Sequence, residues 1–399
     1  RNEEENRMKI AMMTNNYIPY TGGVPISIER LSKALRENGH EVVIFAPNYK
    51  EQEADENVVR YHALIKGIVN GFSVPNSLDP KIEKRFRAGH FDVIHVHHPM
   101  LIGETARYLS VKYDVPLCFT YHTRFEQYLH YIKAPFLQKV IPDYVNYYTD
   151  YCDVVFAPTP SIQNYLEEIG SEARIAVLPT GLSKESFETK EEEVAKLRES
   201  LCGGHRYLFC TVARLAKEKN LEFLFRVLAE RKSEQGSDFR LALVGEGPYR
   251  KRLLRLAKEL GIQEEIIFVG KVPNEQIKYY CKAADLFLFS SLSETQGIVL
   301  LEAMAAATPV LAVKASGVKD VVVNGKNGYM TPLSEKEYGD RLDALLLQDR
   351  TYLEMGALET AKEYEMQKIA KWAAIHYNIA MQNHKQEEKR LGSISYFNC

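Results

Sequence analysis

Glu294 and Glu302 are two carboxylates, eight positions apart, that frame a loop and the start of a helix. The apolar run 285–290 before them is short and bounded by polar residues, which predicts a buried strand of a parallel sheet. The segment 297–307 is rich in helix formers. Glu294 is therefore predicted to lie at the carboxyl end of a strand, where open α/β sheets bind ligands, with Glu302 more than one turn inside the following helix.

This arrangement suits a ligand that is rich in oxygen atoms. The backbone amides of Thr295, Gln296 and Gly297 are predicted to donate hydrogen bonds at the helix N-terminus, where the helix dipole favours negative charge. The two carboxylates would accept hydrogen bonds from hydroxyl groups, such as those of a sugar and a ribose. Two glutamates that only solvate a loop and a helix face would show the same spacing, so the spacing alone leaves both interpretations open.

A second pair of charged residues, Arg214 and Lys219, follows the apolar run 207–212 and precedes another predicted helix. Two cations at the carboxyl end of a strand suit a diphosphate, because arginine binds two oxygens at once and lysine supplies a point charge. The alternative is an exposed basic cluster, since Lys217 lies in the same segment.

Together, Arg214, Lys219, Glu294 and Glu302 resemble the donor site of the retaining glycosyltransferases of family 4. The resemblance extends along nearly the whole chain, and includes the Gly-rich segment 14–25 near the start and the loop 316–320. One departure is Ala307, where the family usually has glycine; close helix packing would have to adjust to its methyl group.

The resemblance implies the GT-B fold: an α/β protein with two Rossmann-like, doubly wound parallel-sheet domains that face each other across a cleft. Alternating strand and helix patterns, repeated in both halves, independently predict parallel sheets covered on both faces. We expect an acceptor-binding domain at 8–180, a donor-binding domain at 181–365, a last helix at about 366–382 that crosses back onto the first domain, and a flexible tail at 386–399. The strand predictions are 9–14, 41–46, 93–97, 117–120, 154–157, 207–212, 241–244, 266–269, 286–289 and 310–313.

The first half of the chain offers Gly22, Gly23 and His122 as site residues. The glycine pair would let the backbone approach a ligand closely, although a simple turn is the commoner reason for such a pair. His122 follows a predicted strand, and by resemblance it is the histidine that points at the donor sugar. His95, His97 and His98 are interpreted as packing or rim residues rather than metal ligands, because no carboxylate or cysteine cluster accompanies them.

By resemblance, the reaction is transfer of a hexose from a nucleotide diphosphate sugar with retention of configuration. Arg214 and Lys219 would stabilise the charge on the departing diphosphate, so no metal is required and no prosthetic group is expected. Glu302 would hold the ribose, Glu294 the sugar hydroxyls, and His122 would orient the sugar. A UDP-sugar is the expected co-substrate.

The segments 121–132 and 294–297 resemble those of diacylglycerol 3-glucosyltransferases, which implies α-glucose transfer from UDP-glucose to 1,2-diacylglycerol at an anionic membrane surface. Aromatic, aliphatic and lysine residues between 128 and 142 suit a bilayer interface, although an amphipathic core helix would show the same pattern. The candidates for contact with acceptor or membrane are Glu126, Tyr128, Lys133, Phe136 and Lys139.

Composition excludes some other classes. A formal charge of −2 argues against bulk electrostatic binding of nucleic acid. The six cysteines lack metal-ligand spacing and predict free thiols in a reducing compartment. The polar start of the chain shows no secretory signal, and Met8 is a candidate natural start.

We expect a cytoplasmic protein that is peripheral on the inner face of the cell membrane. Three alternatives stay open: a soluble or glycan acceptor, a sugar-nucleotide epimerase with the same architecture, and a noncatalytic nucleotide-sugar binding protein.

Overall fold

The computed structural model describes residues 7–20, 22–65, 73–122 and 137–395. The described chain divides into two compact units, the first formed by residues up to Gly181 together with those from Met366 onwards, and the second by Leu182–Glu365. Each unit has its own parallel sheet and its own apolar core.

The first unit is built on a parallel sheet. Its strands are β1 (Lys9–Met13), β2 (Glu41–Pro47), β3 (Val58–Tyr61), β6 (Val93–Val96), β7 (Leu117–Thr120), β8 (Val154–Ala157) and β9 (Ile175–Val177), and a separate antiparallel pair is formed by β4 (Ala63–Ile65) and β5 (Val74–Pro75). The described strands of the sheet run in the order β3-β2-β1-β6-β7-β8-β9, and every neighbouring pair is parallel. Strands β6, β7 and β8 are buried along their whole length, because helices cover both faces of the sheet.

The helices of this unit are α1 (Gly23–Glu37), α2 (Pro80–Gly89), α3 (Ile102–Tyr113), α4 (Leu137–Thr149), α5 (Pro160–Glu168) and the last helix of the chain, α13 (Met366–Ser395). Helix α13 buries Ala370, Ala373 and Tyr377 in the same apolar cluster as β1 and β2. It is longer than the predicted 366–382 and includes residues that the sequence assigned to a flexible tail.

The second unit repeats this plan. Its strands are β10 (Tyr207–Val212), β11 (Phe239–Val244), β12 (Ile266–Gly270), β13 (Leu286–Phe289), β14 (Val310–Val313) and β15 (Gly328–Thr331), and its helices are α6 (Glu191–Cys202), α7 (Leu221–Gln235), α8 (Arg250–Glu259), α9 (Ile277–Ala283), α10 (Ile298–Ala305), α11 (Glu335–Leu347) and α12 (Thr351–Glu363). The described strands run in the order β12-β11-β10-β13-β14-β15 and are all parallel. This order is that of the Rossmann fold.

The predicted fold class, two Rossmann-like parallel-sheet units, is confirmed. Every strand predicted from the sequence is present, with its ends within two residues of the prediction. The sequence did not predict β3, β9 and β15, which lie at edges of the two parallel sheets and so do not need the continuous apolar run that marks a buried strand. It also did not predict the separate pair β4 and β5.

Ala307 ends helix α10 in a left-handed conformation, with φ of 57°. The amide of Ala307 donates to the carbonyl of Met304 at 2.9 Å, and the amide of Thr308 donates to that of Ala303 at 3.0 Å. These two bonds form a Schellman motif, which places the residue after the helix cap in the left-handed region that glycine favours. The cost of Ala307 is therefore in the backbone conformation rather than in the helix packing expected from the sequence.

The substitution Ala307→Gly is expected to stabilise the protein by about 1 kcal/mol, because glycine adopts a positive φ without the Cβ clash that alanine suffers. Urea unfolding of the variant and the parent protein measures this difference. Ala306→Gly is the matched control: Ala306 has φ of −80°, so glycine there is expected to destabilise. Equal stability of Ala307→Gly and the parent would contradict the assigned strain.

Candidate functional site

In the second unit, the site residues follow the two strands at which the strand order reverses. Strands β10 and β13 are neighbours in the sheet, although β11 and β12 lie between them in sequence. Open parallel sheets bind ligands at the carboxyl ends of the strands at this point. Arg214 follows β10 and is exposed, whereas Glu294 lies in the loop after β13.

Lys219 and Glu294 form an ion pair there. The Lys219 Nζ lies 2.5 Å from the Glu294 Oε1, and each side chain is 17% exposed. Burial alone would raise the pKa of Glu294, whereas the positive charge of Lys219 and its hydrogen bond lower it. The lowering effects together are larger, so the pKa lies below its ordinary value. Glu294 is therefore a carboxylate at neutral pH, and it acts as a hydrogen-bond acceptor.

Ser290 holds the backbone that carries Lys219. Its hydroxyl contacts the carbonyl oxygens of Lys219 and Asn220, both at 3.0 Å. Asn220 has φ of 52°, which turns the chain sharply into helix α7. Sequence analysis did not identify Ser290 as a site residue. Its position directly after a buried strand was the available signal.

Two glycines bring the loops of this edge together. A Cβ atom on Gly317 would lie 2.7 Å from the carbonyl oxygen of Glu294, and one on Gly245 would lie 2.0 Å from that of Ala213. Both glycines have positive φ angles, of 76° and 134°. Larger residues would force the loops apart, so these glycines keep the backbone near Glu294 and Arg214 compact.

The remaining predicted donor residues lie at the start of helix α10. Gly297 is its N-cap with φ of 72°, and Gln296 is buried at 4% exposure. Thr295 is half-buried in the same loop. Glu302, on the second turn, is 6% exposed. The helix thus supports both glutamates, one in the loop before it and one within it.

In the first unit, histidines gather where β6 and β7 end. His97 and His98 follow β6, and His122 lies two residues after β7. The His97 Nδ1 and His122 Nε2 atoms are 2.9 Å apart, and the two rings stack with centroids 5.1 Å apart. Burial lowers the pKa of His97 and of His122 well below the ordinary value, and lowers that of His98 to about 4. These imidazoles are therefore neutral at physiological pH.

His95 has a structural role. Its Nδ1 lies 2.7 Å from the hydroxyl of Tyr377 on α13, and its Nε2 lies 2.6 Å from the hydroxyl of Thr120. Both ring nitrogens have partners, and burial lowers the pKa of His95 to about 3. His95 thus joins the last helix to the centre of the first sheet.

His98 and the glycine pair belong to the segment after β1. The His98 Nδ1 accepts the backbone N–H of Asn15 at 3.2 Å, which fixes this segment against the end of β6. A Cβ atom on Gly23 would meet no described atom within 4 Å, and one on Gly22 would meet only ordinary contacts, from 3.6 Å. Packing among the described residues therefore does not require either glycine.

The candidates for acceptor or membrane contact fall mainly on residues that the structure does not describe. Glu126, Tyr128, Lys133 and Phe136 lie outside the described residues, and Lys139 lies in helix α4.

Within the described ranges, no group of three or more histidine, cysteine or carboxylate side chains could hold a metal ion. Across the same ranges, no helix combines the length and the apolar character that a membrane span needs.

Known proteins match both units. A model described as Glycosyltransferase Family 4 matches residues 21–186, and one described as Glycosyl transferases group 1 matches residues 195–361. An alpha-monoglucosyldiacylglycerol synthase from Streptococcus pneumoniae is 30% identical over 323 residues, which are 76% of this chain and 71% of the relative. The chain belongs to glycosyltransferase family 4.

Two further proteins are similar to this glycosyltransferase along most of its length. An alpha-monoglucosyldiacylglycerol synthase from Acholeplasma laidlawii is 29% identical over 338 residues, 80% of this chain and 84% of the relative. The solved structure of a sucrose-phosphate synthase from Thermosynechococcus elongatus has a TM-score of 0.77 at 20% identity, and the match covers 93% of this chain and 98% of that one. The glycosyltransferase therefore has the GT-B fold.

Removal of Lys219 should destabilise the protein, because the buried Glu294 carboxylate would lose its cation. Lys219→Met is expected to destabilise the glycosyltransferase by about 2 kcal/mol at pH 7, because Glu294 then keeps its burial without its cation. In this variant the pKa of Glu294 would rise above the ordinary value. The loss of stability should therefore shrink as the pH falls and Glu294 takes up a proton. Urea unfolding at pH 7 and pH 5 measures both effects.

The double variant Lys219→Met/Glu294→Gln provides the matched control. It removes both charges, and we expect it to be more stable at pH 7 than Lys219→Met alone. If the destabilisation of the double variant equals the sum of those of Lys219→Met and Glu294→Gln measured alone, the ion pair has no coupling energy.

Proposed function

We propose that this glycosyltransferase transfers α-glucose from UDP-glucose to 1,2-diacylglycerol at a membrane surface, with retention of the anomeric configuration. The observation that carries the proposal is the similarity, over about three quarters of the chain, to two proteins named alpha-monoglucosyldiacylglycerol synthase. Other relatives, at 24–28% identity, have names that specify other sugars or acceptors, so the acceptor is the part that most needs an experiment.

The edge of the second sheet supports the donor half of the proposal. Arg214 and Lys219 would stabilise the charge of the departing diphosphate, a role for which other enzymes use a metal ion. Glu302 would accept hydrogen bonds from the ribose. Glu294, held as a carboxylate by its low pKa, would accept them from the sugar, with the amides of residues 295–297 donating.

The edge of the first sheet supports the transfer step. His122 would orient the glucose, and the open space at Gly22 and Gly23 would let the backbone approach the ligand. In this mechanism an oxygen of the departing phosphate takes the proton of the acceptor hydroxyl on the same face of the sugar. The C–O bond to the acceptor then forms as the bond to the phosphate breaks, and no covalent enzyme intermediate arises.

An exposed surface on α3 and α4 supports the membrane half of the proposal. We call it the α3–α4 surface, and its members, each 41–76% exposed, are Tyr108 and Val111 on α3, Val140 and Tyr147 on α4, and Tyr151 directly after α4. The guanidinium of Arg107 lies 4.6 Å from the ring centre of Tyr151, and the Lys112 Nζ lies 5.1 Å from that of Tyr108. Aromatic rings beside cations suit the interface of an anionic bilayer. The proposal therefore includes a peripheral position on the inner face of the cell membrane.

Val111→Asp tests this surface. Val111 is 76% exposed, so the substitution should leave the stability nearly unchanged while it removes an apolar contact and adds a charge that anionic lipid repels. We expect binding to vesicles with anionic lipid to weaken by roughly tenfold in a sedimentation assay, from about 1.4 kcal/mol of lost interaction. Leu347→Asp, at a position 84% exposed in the second unit, is the control and should bind as the parent does. Equal binding by all three proteins would remove the α3–α4 surface from membrane contact.

The decisive test of the function is UDP release from UDP-glucose by the purified chain, with and without 1,2-diacylglycerol in anionic vesicles, followed by identification of the lipid product. We expect release that depends on diacylglycerol and an α-glucosyl lipid. Release that needs a glycan or soluble acceptor instead would overturn the lipid assignment. Conversion of UDP-glucose without any acceptor would point to an epimerase, and binding without turnover to a noncatalytic protein.

A further inference from the structure

The part of helix α13 that follows Ala380 is held differently from the part before it. The buried apolar side chains of α13 share one face, which packs in the same cluster as β1 and β2: Met366, Ile369, Ala370, Ala373, Tyr377 and Ala380. Between residues 381 and 385, no side chain is fully buried. His384 lies four positions after Ala380 and so continues the same face of the helix. Polar contacts of His384 therefore take the place that apolar packing has in the preceding turns.

The His384 ring lies between two carboxylates. Its Nδ1 is 3.1 Å from the Asp153 Oδ1, and its Nε2 is 3.1 Å from the Asp114 Oδ1. Asp114 is the C-cap of α3, and Asp153 directly precedes β8. The second oxygen of Asp153 accepts the backbone N–H of Leu117, the first residue of β7, at 2.8 Å. We call these three side chains, His384, Asp114 and Asp153, the His384 bridge, and it ties α13 to the amino edge of the first sheet.

Both contacts of the bridge are hydrogen bonds only when the imidazole is charged. A neutral imidazole has one N–H and one lone pair, and the lone pair would face a carboxylate oxygen. The imidazolium donates from both nitrogens, and it also supplies a cation to Asp153, whose side chain is 9% exposed. The hydrogen bond and charge of Asp153, with the charge of Asp114, raise the pKa of His384 above its ordinary value, although burial opposes this.

The groups beside the two carboxylates keep their charge state when His384 titrates. The thiols of Cys118 and Cys152 interact with Asp153, but burial raises the pKa of both thiols well above its ordinary value, so they stay neutral. Lys112, on the last turn of α3, forms its ion pair with Glu83 at 2.5 Å. His384 is therefore the member of this region whose charge changes near neutral pH.

A second histidine of α13 responds to pH in the opposite direction. His376 is 8% exposed, and neither of its ring nitrogens has a hydrogen-bond partner among the described residues. Burial, together with the charge of Arg174, lowers the pKa of His376 below its ordinary value. Protonation of His376 would thus weaken the docking of the helix at low pH, whereas protonation of His384 strengthens it.

We propose that the His384 bridge is a pH-sensitive switch, which holds the end of α13 on the first sheet while His384 is charged and releases it as the pH rises. The ordinary pKa of histidine is about 6.5, and the docked value is higher. The stabilisation is therefore fully present below about pH 6.5 and is lost as the pH rises through the docked pKa. Release would expose Ala380 and Met381, which pack on the first unit. The inference is independent of the proposed function, because neither substrate nor turnover enters it.

The charge of the ring can be read by NMR titration of the full chain labelled with ¹⁵N-histidine, with His384→Gln to assign the signals. We expect both ring nitrogens of His384 to be protonated at pH 6, with a pKa above the ordinary value. Asp114→Asn should lower that pKa. Asp114 has φ of 54° and is 57% exposed, and asparagine also tolerates a left-handed conformation, so this variant removes a charge without new strain. A pKa at or below the ordinary value, or one that Asp114→Asn leaves unchanged, would overturn the proposal.

The release of the helix can be measured by hydrogen exchange of the backbone amides of residues 378–385, corrected for the intrinsic exchange rate at each pH. We expect protection in the parent chain to be several-fold lower at pH 8.5 than at pH 6. His384→Lys keeps a positive charge at both pH values and should stay protected at both. His384→Gln has no charge and should be weakly protected at both. The amides of α12 are the internal control and should not change with pH.

Three outcomes of the exchange experiment would overturn the switch. One is equal protection of the parent at both pH values. Another is a fall in His384→Gln as large as that in the parent, which would assign the pH dependence to a different group. The third is weak protection of His384→Lys at both pH values, which would show that the charge at this position does not hold the helix.

Discussion

The structure depends on one constraint: a strand buried on both faces of a parallel sheet has no room for unpaired polar groups. Strands β6, β7, β8 and β13 are buried throughout. The polar side chains of β6 and β7, His95 and Thr120, are hydrogen-bonded to each other. Functional groups are therefore confined to the residues that follow each strand, and parallel strands bring all of those residues to one edge.

The same constraint explains why the loops at these edges are so specific. A polar side chain just beyond a buried strand is itself partly buried, and so it needs a partner that only another loop can provide. The Ser290 hydroxyl donates to the backbone carbonyls of Lys219 and Asn220, and the Lys219 ammonium donates to the Glu294 carboxylate. In the first unit, His98 does this for the backbone of Asn15. Hydrogen bonds between loops thus provide partners for the buried polar groups, and the same bonds set the geometry of the site.

The sequence predicted most of the fold because buried strands have a local signature. Apolar runs located β10 and β13, and with them the loops that contain Arg214 and Glu294. The sequence could not predict that Lys219 pairs with Glu294, or that His97 pairs with His122. The partners of each pair are separated by at least one helix and one strand, and their contact depends on loop conformation. The backbone conformation of Ala307 was also inaccessible, since its φ follows from the Schellman bonds that end the helix. Edge strands such as β3 were missed because one open side removes the need for a continuous apolar run.

The two edges solve the problem of burying titratable groups in opposite ways. In the second unit the charges stay, because Lys219 and Glu294 neutralise each other across a short contact and burial strengthens their attraction. In the first unit the described side-chain contact of His97 is with another histidine, His122, and burial removes the charge instead. A neutral pair still has direction, since one ring must donate and the other must accept.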